Sequence, residues 1–328
     1  MQEHPFALYV RTLGRGKRAR RSLTREEAAD AMAMILRGQA QPAQVGAFLM
    51  LLRVKEETAE ELAGFLDACR VVCEQRLQGF PAVDMDWPSY AGKKKHHPWY
   101  LLAARLLADS GLRILMHGGP AHTPNRQYSD GMLAELGVML PESIDTAAAQ
   151  LEAEGLTYLD VDQFCAPLGE LLMMRFELGL RSPINTLARS LNPAGATLSM
   201  QSVFHPAYLE LHLGAARACG DQHLLLFKGE GGELEIRPDA RTALTGLRHG
   251  ELAEGVLEAA LPRQTPPGQV SPTHARAVWR DEAQDDYGVA AVHKTVAAVL
   301  WGLEKAASLE EGEQAAKALW AARDRGVL

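Results

Sequence analysis

Apolar side chains recur at helical spacing through the first seventy residues. Thr24 is followed three places on by Glu27, a capping box, and then by Ala28, Ala31, Met32, Ile35 and Leu36 up to Gly38. A second helix is predicted after Pro42, through Val45, Phe48, Leu49 and Leu52. A third opens at Thr58 with Glu61 three residues later, carrying Leu62, Phe65, Leu66, Cys69 and Val72. Short connections make this a compact antiparallel helical module. From about residue 80 the pattern changes to short apolar runs between longer helices. Phe80 to Met85, Arg113 to Met116 and His223 to Phe227 are predicted strands, with helices over Trp99 to Ala108 and Pro206 to Cys219. Such alternation predicts an α/β domain with a mostly parallel sheet flanked by helices. Leu261 to Thr273, rich in Pro, Gly and Gln, reads as a loop; Val289 to Lys305 and Leu309 to Arg323 return to helix. The domain division expected is 1–78 and 79–328.

Composition narrows the class. The chain has 328 residues, 47% of them hydrophobic and 23% charged, which is globular and excludes disordered, collagen-like and membrane-spanning classes. No apolar run reaches the roughly 18 residues of a spanning helix. The start, Met1-Gln2-Glu3-His4-Pro5, lacks a basic region followed by an apolar stretch, so a cytoplasmic chain is expected. Cys69 and Cys73 share a helix face, while Cys165 and Cys219 stand alone, so reduced, buried thiols are expected rather than a metal site.

The formal charge of −7 argues against a polyanionic partner, but its distribution is segregated. Residues 1–25 hold seven basic side chains, among them Arg15, Lys17, Arg18, Arg20 and Arg21, against Glu3 alone. Residues 87–129 hold six against Asp109, and residues 133–177 hold nine acids against Arg175. That asymmetry points to an anionic partner on one face, although solvated surface explains a charge run equally simply.

Four stretches carry candidate chemistry. Asp86 to Trp99, containing Ser89, Gly92, Lys93, Lys94, Lys95 and His96, follows a predicted strand and precedes a helix, where ligands bind parallel sheets. Only Gly92 suits a phosphate cradle of backbone N–H groups, and the cations come from side chains. Lysines beside Trp87, Tyr90 and Trp99 combine point charges with stacking platforms, as in single-stranded nucleic-acid binding; the alternative is an exposed lysine run beside core aromatics. His117-Gly118 heads a second polar loop, either as a ligand-binding histidine or as one satisfied at a strand end. Arg175, Arg181 and Asn185 form a third group, suited to carboxylate or phosphate or to local ion pairs. Lys228 and the acidic Glu230, Glu233 and Glu235 form the fourth, either a weak Mg²⁺ site through the paired carboxylates Glu233 and Glu235 or a glycine-rich hairpin.

In this order, and behind this helical module, these stretches resemble the anthranilate phosphoribosyltransferase family, also called glycosyl transferase family 3. The resemblance runs from about Tyr9 to Arg325. It implies a small helical domain that mediates homodimerisation, joined by a returning segment near 165–190, and a large α/β domain. His117-Gly118 keeps part of the family's KHGNR segment, with Met116, Gly119 and Pro120 departing from it. Arg175, Glu177-Leu178-Gly179, Arg181 and Asn185 keep the frame of its RRELGIRTIFN-like segment. The glycine-rich GTGGD loop falls on Trp87 to Ala91, and of the acidic pair only Glu235 remains, beside Leu234. The resemblance therefore implies Ser89, Gly92, His117, Gly118, Arg175, Arg181 and Asn185 as remnants of a substrate site, and Mg²⁺ only where transferase activity is retained.

The departures also resemble the YbiB-type, nucleic-acid-binding branch of the family. The reading that follows is a homodimer binding RNA or DNA without sequence preference through Arg15, Lys17, Arg18, Arg20, Arg21, Lys93, Lys94, Lys95, His96 and Lys228, with no cofactor, no membrane partner and no catalytic residue assigned. The alternative is a phosphoribosyltransferase or phosphorylase with an unusual acceptor, the lysines gripping pyrophosphate.

Overall fold

A computed structural model describes residues 3–16 and 18–328; Lys17 lies outside the described residues. Helices α1 (Ala7–Gly14), α2 (Arg25–Leu36), α3 (Pro42–Lys55) and α4 (Ala59–Arg76) form the N-terminal module. The predicted capping boxes close on Thr24–Glu27 and Thr58–Glu61, and Pro42 opens α3. An edge-to-face chain of Phe6, Phe48 and Phe65, with ring centroids 5.4 and 6.0 Å apart, ties α1, α3 and α4 together. Gly64 is where α2 meets α4: a Cβ there would stand 2.2 Å from the Arg25 carbonyl oxygen.

The large domain follows as β1 (Met85–Ser89), α5 (Trp99–Asp109), β2 (Ile114–Gly118), α6 (Ser129–Leu136), α7 (Ile144–Glu154) and β3 (Leu156–Asp160). Then come α8 (Val161–Met173), α9 (Arg175–Leu178), α10 (Ile184–Arg189), β4 (Leu198–Val203), α11 (Tyr208–Cys219) and β5 (Leu224–Lys228). It ends with β6 (Thr242–Arg248), β7 (Glu251–Leu257), α12 (Pro272–Trp279), α13 (Asp286–Gly302) and α14 (Leu309–Ala322). The sheet order is β3-β2-β1-β4-β5-β6-β7, with β1 to β5 parallel and β6 and β7 antiparallel. The expected helical domain plus mostly parallel α/β domain is thus present.

Several elements differ from the sequence expectation. The first strand occupies Met85–Ser89 rather than Phe80 to Met85. All five of its residues are buried although Asp86 and Ser89 interrupt the apolar run, because both hydrogen-bond inside the domain. The β6–β7 hairpin escaped the apolar pattern because β7 is a largely exposed edge strand. Its turn, His249-Gly250, takes positive φ at both residues (49° and 78°), the requirement of a tight two-residue hairpin. The segment between β7 and α12 forms neither helix nor strand, as expected.

One apolar cluster joins α5, α12, α13 and α14 to one sheet face. The other is continuous from Phe48 and Phe65 of the small module, through Leu168 and Leu172 of α8 and Leu187 of α10, to Leu115 and Leu159 of the sheet. The segment near 165–190 therefore packs with the N-terminal helices. Cys69, Cys73 and Cys165 are buried in this cluster, Cys219 is half-buried, and all four are free. No described helix is long and apolar enough to cross a membrane.

A buried carboxylate pins the module's turns. Glu61 is inaccessible to solvent; it accepts hydrogen bonds from the Leu23 and Thr58 amides, both at 2.9 Å, and from Lys55 Nζ at 2.7 Å. Replacing it leaves the Leu23 and Thr58 amides without their acceptor and removes the counter-charge of Lys55, whose Nζ keeps Ser22 Oγ and the Glu56 carbonyl. Glu61→Ala is therefore expected to lower stability by about 3 kcal/mol in chemical denaturation, with Glu61→Gln losing less because it keeps an acceptor; an alanine variant as stable as wild type would refute this role.

Candidate active site

Strand order reverses between β1 and β4, so the carboxyl ends of these two strands open a crevice at the switch point of the sheet, where α/β proteins bind ligands. Three loops meet there, after β1, after β2 and after β5.

The loop after β1 forms a cluster of donors. Gly92, at φ +70°, turns the chain so that the Ala91 and Gly92 amides both face Glu233, which accepts from Ala91 N at 2.7 Å and from Gly92 N. Ser89 Oγ donates to the other carboxylate oxygen at 2.8 Å and lies 2.6 Å from Ser129 Oγ. Glu233 is fully buried. Burial pushes its pKa upward, against the pull of these three donors and of Arg189.

Lys93, expected to be a solvated cation, is buried to 1% exposure. Its Nζ lies between Glu230 and Glu235, donating to Glu235 Oε1 at 2.6 Å, while Tyr100 N donates to Glu235 Oε2 at 3.0 Å. Burial opposes the ammonium, but the two carboxylates outweigh it and hold Lys93 above its ordinary pKa. One ammonium serves two acids. Glu230 stays below the usual carboxylate range despite partial burial, whereas burial pushes Glu235 up to about 7. Of the residues expected beside Lys93, Trp87, Tyr90 and Trp99 are core side chains with at most 1% exposure, offering no stacking platform. His96 is buried against Tyr287, ring centroids 4.6 Å apart, and burial lowers its pKa. Lys94 and Lys95 alone of the run are exposed.

His117 is also interior. Its Nδ1 shares a 2.8 Å hydrogen bond with the Tyr90 hydroxyl, and its Nε2 lies 3.0 Å from Asp86 Oδ1, off the line of a hydrogen bond. Gly118 ends β2 where a Cβ would meet the Tyr158 hydroxyl at 2.5 Å.

The open part of the crevice is cationic. Arg175 Nη1 and Arg181 Nη2 both donate to Thr123 Oγ1, at 2.9 and 2.7 Å. Arg126 Nη1 donates to the carbonyls of Ala91 (2.7 Å), Gly92 (3.2 Å) and Gly231 (3.3 Å). Arg189 Nη1 donates to Asn185 O at 3.3 Å and its Nε has no partner. Arg70 reaches Asp221 at 2.9 Å, whereas these four, although close to one another, form no ion pair among the described residues. Burial lowers Arg181 to about 10, and Arg189, Arg126 and Arg175 add to the effect; burial also lowers Arg189, with Arg126 adding to it against Glu233. Unmet polar atoms surround them: His122 Nε2, Tyr128 Oη and Asn185 Nδ2 are buried without hydrogen-bond partners. His122 Nδ1 faces Pro120 O at 3.2 Å, an atom that only accepts, so the proton sits on Nδ1 and Nε2 presents a lone pair. Burial, joined by Arg181, Arg175 and Arg189 and opposed by the hydrogen bond to Pro120, brings its pKa down to about 4.

Arg175, Arg181 and Asn185 thus gather in one place, and Ser89 and Gly92 in the adjoining donor cluster. Arg126, Arg189, His122 and Tyr128 were not singled out as site residues, whereas Glu233 stood among the acids of the fourth stretch. Arg126 stood in the basic count, but only tertiary contact distinguishes it from other arginines. Arg15, Arg18, Arg20 and Arg21 are exposed after α1, where Arg21 pairs with Glu27 at 2.5 Å, and Lys228 is exposed at the end of β5.

The fold family implies Mg²⁺, but these acids do not fit it. Glu235 is held at both oxygens by Lys93 and the Tyr100 amide, Glu233 at both by Ser89 and two amides, and Glu230 at one by Lys93, so an ammonium and fixed donors stand where a metal would bind. The weak expectation for Glu235 as a metal ligand is corrected on that ground.

This site stands on an α/β sheet that follows an N-terminal helical module, the architecture of a glycosyl transferase family. Family models agree: residues 9–73 match the glycosyl transferase family helical bundle domain and residues 100–322 its a/b domain. The chain belongs to this family, glycosyl transferase family 3. It is 33% identical over 234 residues to the anthranilate phosphoribosyltransferase of Methylocella silvestris, spanning 70% of this chain and 66% of that one. The Geobacillus sp. (strain WCH70) enzyme of the same name is 27% identical over 308 residues, 90% of this chain and 89% of its own. Among solved structures, the anthranilate phosphoribosyltransferase of Thermus thermophilus superposes with TM-score 0.74 at 22% identity, covering 97% and 95% of the two chains. That of Saccharomyces cerevisiae in complex with PRPP and Mg superposes with TM-score 0.75 at 18% identity, covering 98% and 94%. These relatives are named as enzymes and none as a nucleic-acid-binding protein. With Lys93, His96 and the three aromatics buried, the nucleic-acid reading is overturned.

Because Glu235 binds its proton more tightly folded than unfolded, it contributes stability at low pH that is lost as pH rises from its ordinary 4.5 towards about 7. Glu235→Gln leaves Lys93 paired with Glu230 alone. It is expected to remove a decline on the order of 2–3 kcal/mol across that window; an unchanged stability–pH curve from urea unfolding would contradict it.

Proposed function

We propose that this chain is a phosphoribosyltransferase acting on a donor of the PRPP class, with an acceptor other than anthranilate. The observation that carries this reading is the group of four arginines without carboxylate partners, ringed by unmet polar atoms of His122, Tyr128 and Asn185. Half-buried cations grouped without counter-charges favour an anion among them, and guanidinium groups fit phosphate oxygens in pairs. In such a transfer the bond from the ribose anomeric carbon to diphosphate breaks and one to the acceptor forms. Negative charge gathers on the departing diphosphate, and preorganised cations stabilise it there. His122 Nε2 is free to accept a hydrogen bond from the acceptor. The departures at Met116, Gly119 and Pro120, and the burial of His117, support a changed acceptor. The site's own carboxylates supply no ligand for Mg²⁺, so the metal's influence is confined to what the donor itself carries.

Calorimetric titration with PRPP, with Mg²⁺ and with a chelator, tests the reading. Saturable one-to-one binding is expected in both conditions, weakened at least tenfold, or about 1.4 kcal/mol, by Arg181→Ala. No binding to wild type, or binding indifferent to Arg181, would reject it. The resemblance also supports a homodimer through the N-terminal helices, where Leu8 of α1 and Val54 of α3 are 48% and 76% exposed. Light scattering is expected to give twice the 35.7 kDa chain mass, falling towards the monomer in Leu8→Glu/Val54→Glu; a monomeric wild type would exclude it.

A further inference from the structure

Two consecutive amides and a hydroxyl converging on one point make a concavity for an anion, and in this chain the anion is the chain's own. Glu233 reaches it from the turn after β5. Gly231 and Gly232 both take positive φ (68° and 94°), and Ser202 Oγ donates to the Glu233 carbonyl at 2.9 Å. The turn is tied to the β1 loop a second time by Arg126, whose Nη1 bridges the carbonyls of Ala91, Gly92 and Gly231. Arg126 is also one of the four arginines of the open crevice, so an anion drawn to that group competes with the bridge that holds the turn shut. Arg189 stands at the same boundary, its Nη2 3.6 Å from where a Gly232 Cβ would lie.

We propose that Glu233 is a built-in ligand that masks an anion site formed by Ser89 Oγ–H, Ala91 N–H and Gly92 N–H. An external phosphate enters only when the 229–233 turn withdraws the carboxylate. Arg126 couples the two events. When an anion at the arginine group takes its guanidinium, the turn loses the Gly231 contact and keeps the three donors to Glu233, the Lys93–Glu230 pair and the Ser202 hydrogen bond. The naming of phosphate as the displaced group's counterpart rests on the phosphoribosyltransferase reading; the masking itself rests on the contacts.

The test titrates inorganic phosphate into the full-length wild type, Glu233→Ala and the near-isosteric Glu233→Gln, by calorimetry and thermal unfolding. Glu233→Ala is expected to bind phosphate at least tenfold more tightly than wild type, and phosphate is expected to restore part of the melting temperature it loses. Adding Ser89→Ala should diminish that gain. Glu233→Gln, which keeps the shape and one acceptor, should show a smaller gain and decides the matter should the alanine variant fail to fold. Folded Glu233 variants that bind phosphate no better than wild type, or a gain indifferent to Ser89, would overturn the proposal. PRPP binding that depends on Arg181 without any gain in the Glu233 variants rejects the masking alone. A phosphate gain in a protein whose wild type ignores PRPP keeps the masking and rejects the transferase reading.

Discussion

The site is organised by buried charges that satisfy one another across two loops. Glu233 fills the donor cluster after β1, and Lys93 fills the space between Glu230 and Glu235, so the loop after β5 and the loop after β1 are each incomplete without the other. An unpaired carboxylate or ammonium at such depth costs several kcal/mol, which leaves these residues no freedom to act as surface groups. Their conformation, and the closure of this end of the crevice, follow from that constraint.

The neighbouring arginines show the opposite arrangement. Arg175 and Arg181 share one hydroxyl, Arg126 is held by carbonyls, and Arg189 keeps an unpartnered Nε. Carbonyl and hydroxyl oxygens orient guanidinium groups without cancelling their charge. The crevice is therefore divided into a neutralised compartment and a cationic one, with Arg126 on the border. The first departs from what the family resemblance leads one to expect of a metal and pyrophosphate site. The second is a group of half-buried guanidinium charges without a carboxylate among them.

Membership of the family and the enzyme names of relatives do not by themselves assign an activity to altered residues. Here the altered residues have a coherent arrangement: an ammonium stands among acids, and a carboxylate stands among amides. The nucleic-acid expectation failed on the same fact, since the lysine and aromatics meant to face a strand of phosphates are used inside the fold.

The helical module was legible because its signals are local. Capping boxes at Thr24 and Thr58 and apolar repeats of period 3.6 act within a few residues, and the structure follows them closely. The alternation of strands and helices likewise determined a mostly parallel sheet. The frame of Arg175, Arg181 and Asn185 was visible as spacing. By contrast, the partners of Lys93 and Gly92 lie more than 130 positions away in the chain, at Glu230, Glu233 and Glu235. A run of three lysines reads the same whether solvated or buried, because the cost of burying a charge is decided by what packs against it. The sequence by itself determined the helical module, the α/β class and the family. Which charges face each other, and so which face a ligand, only the tertiary structure decided.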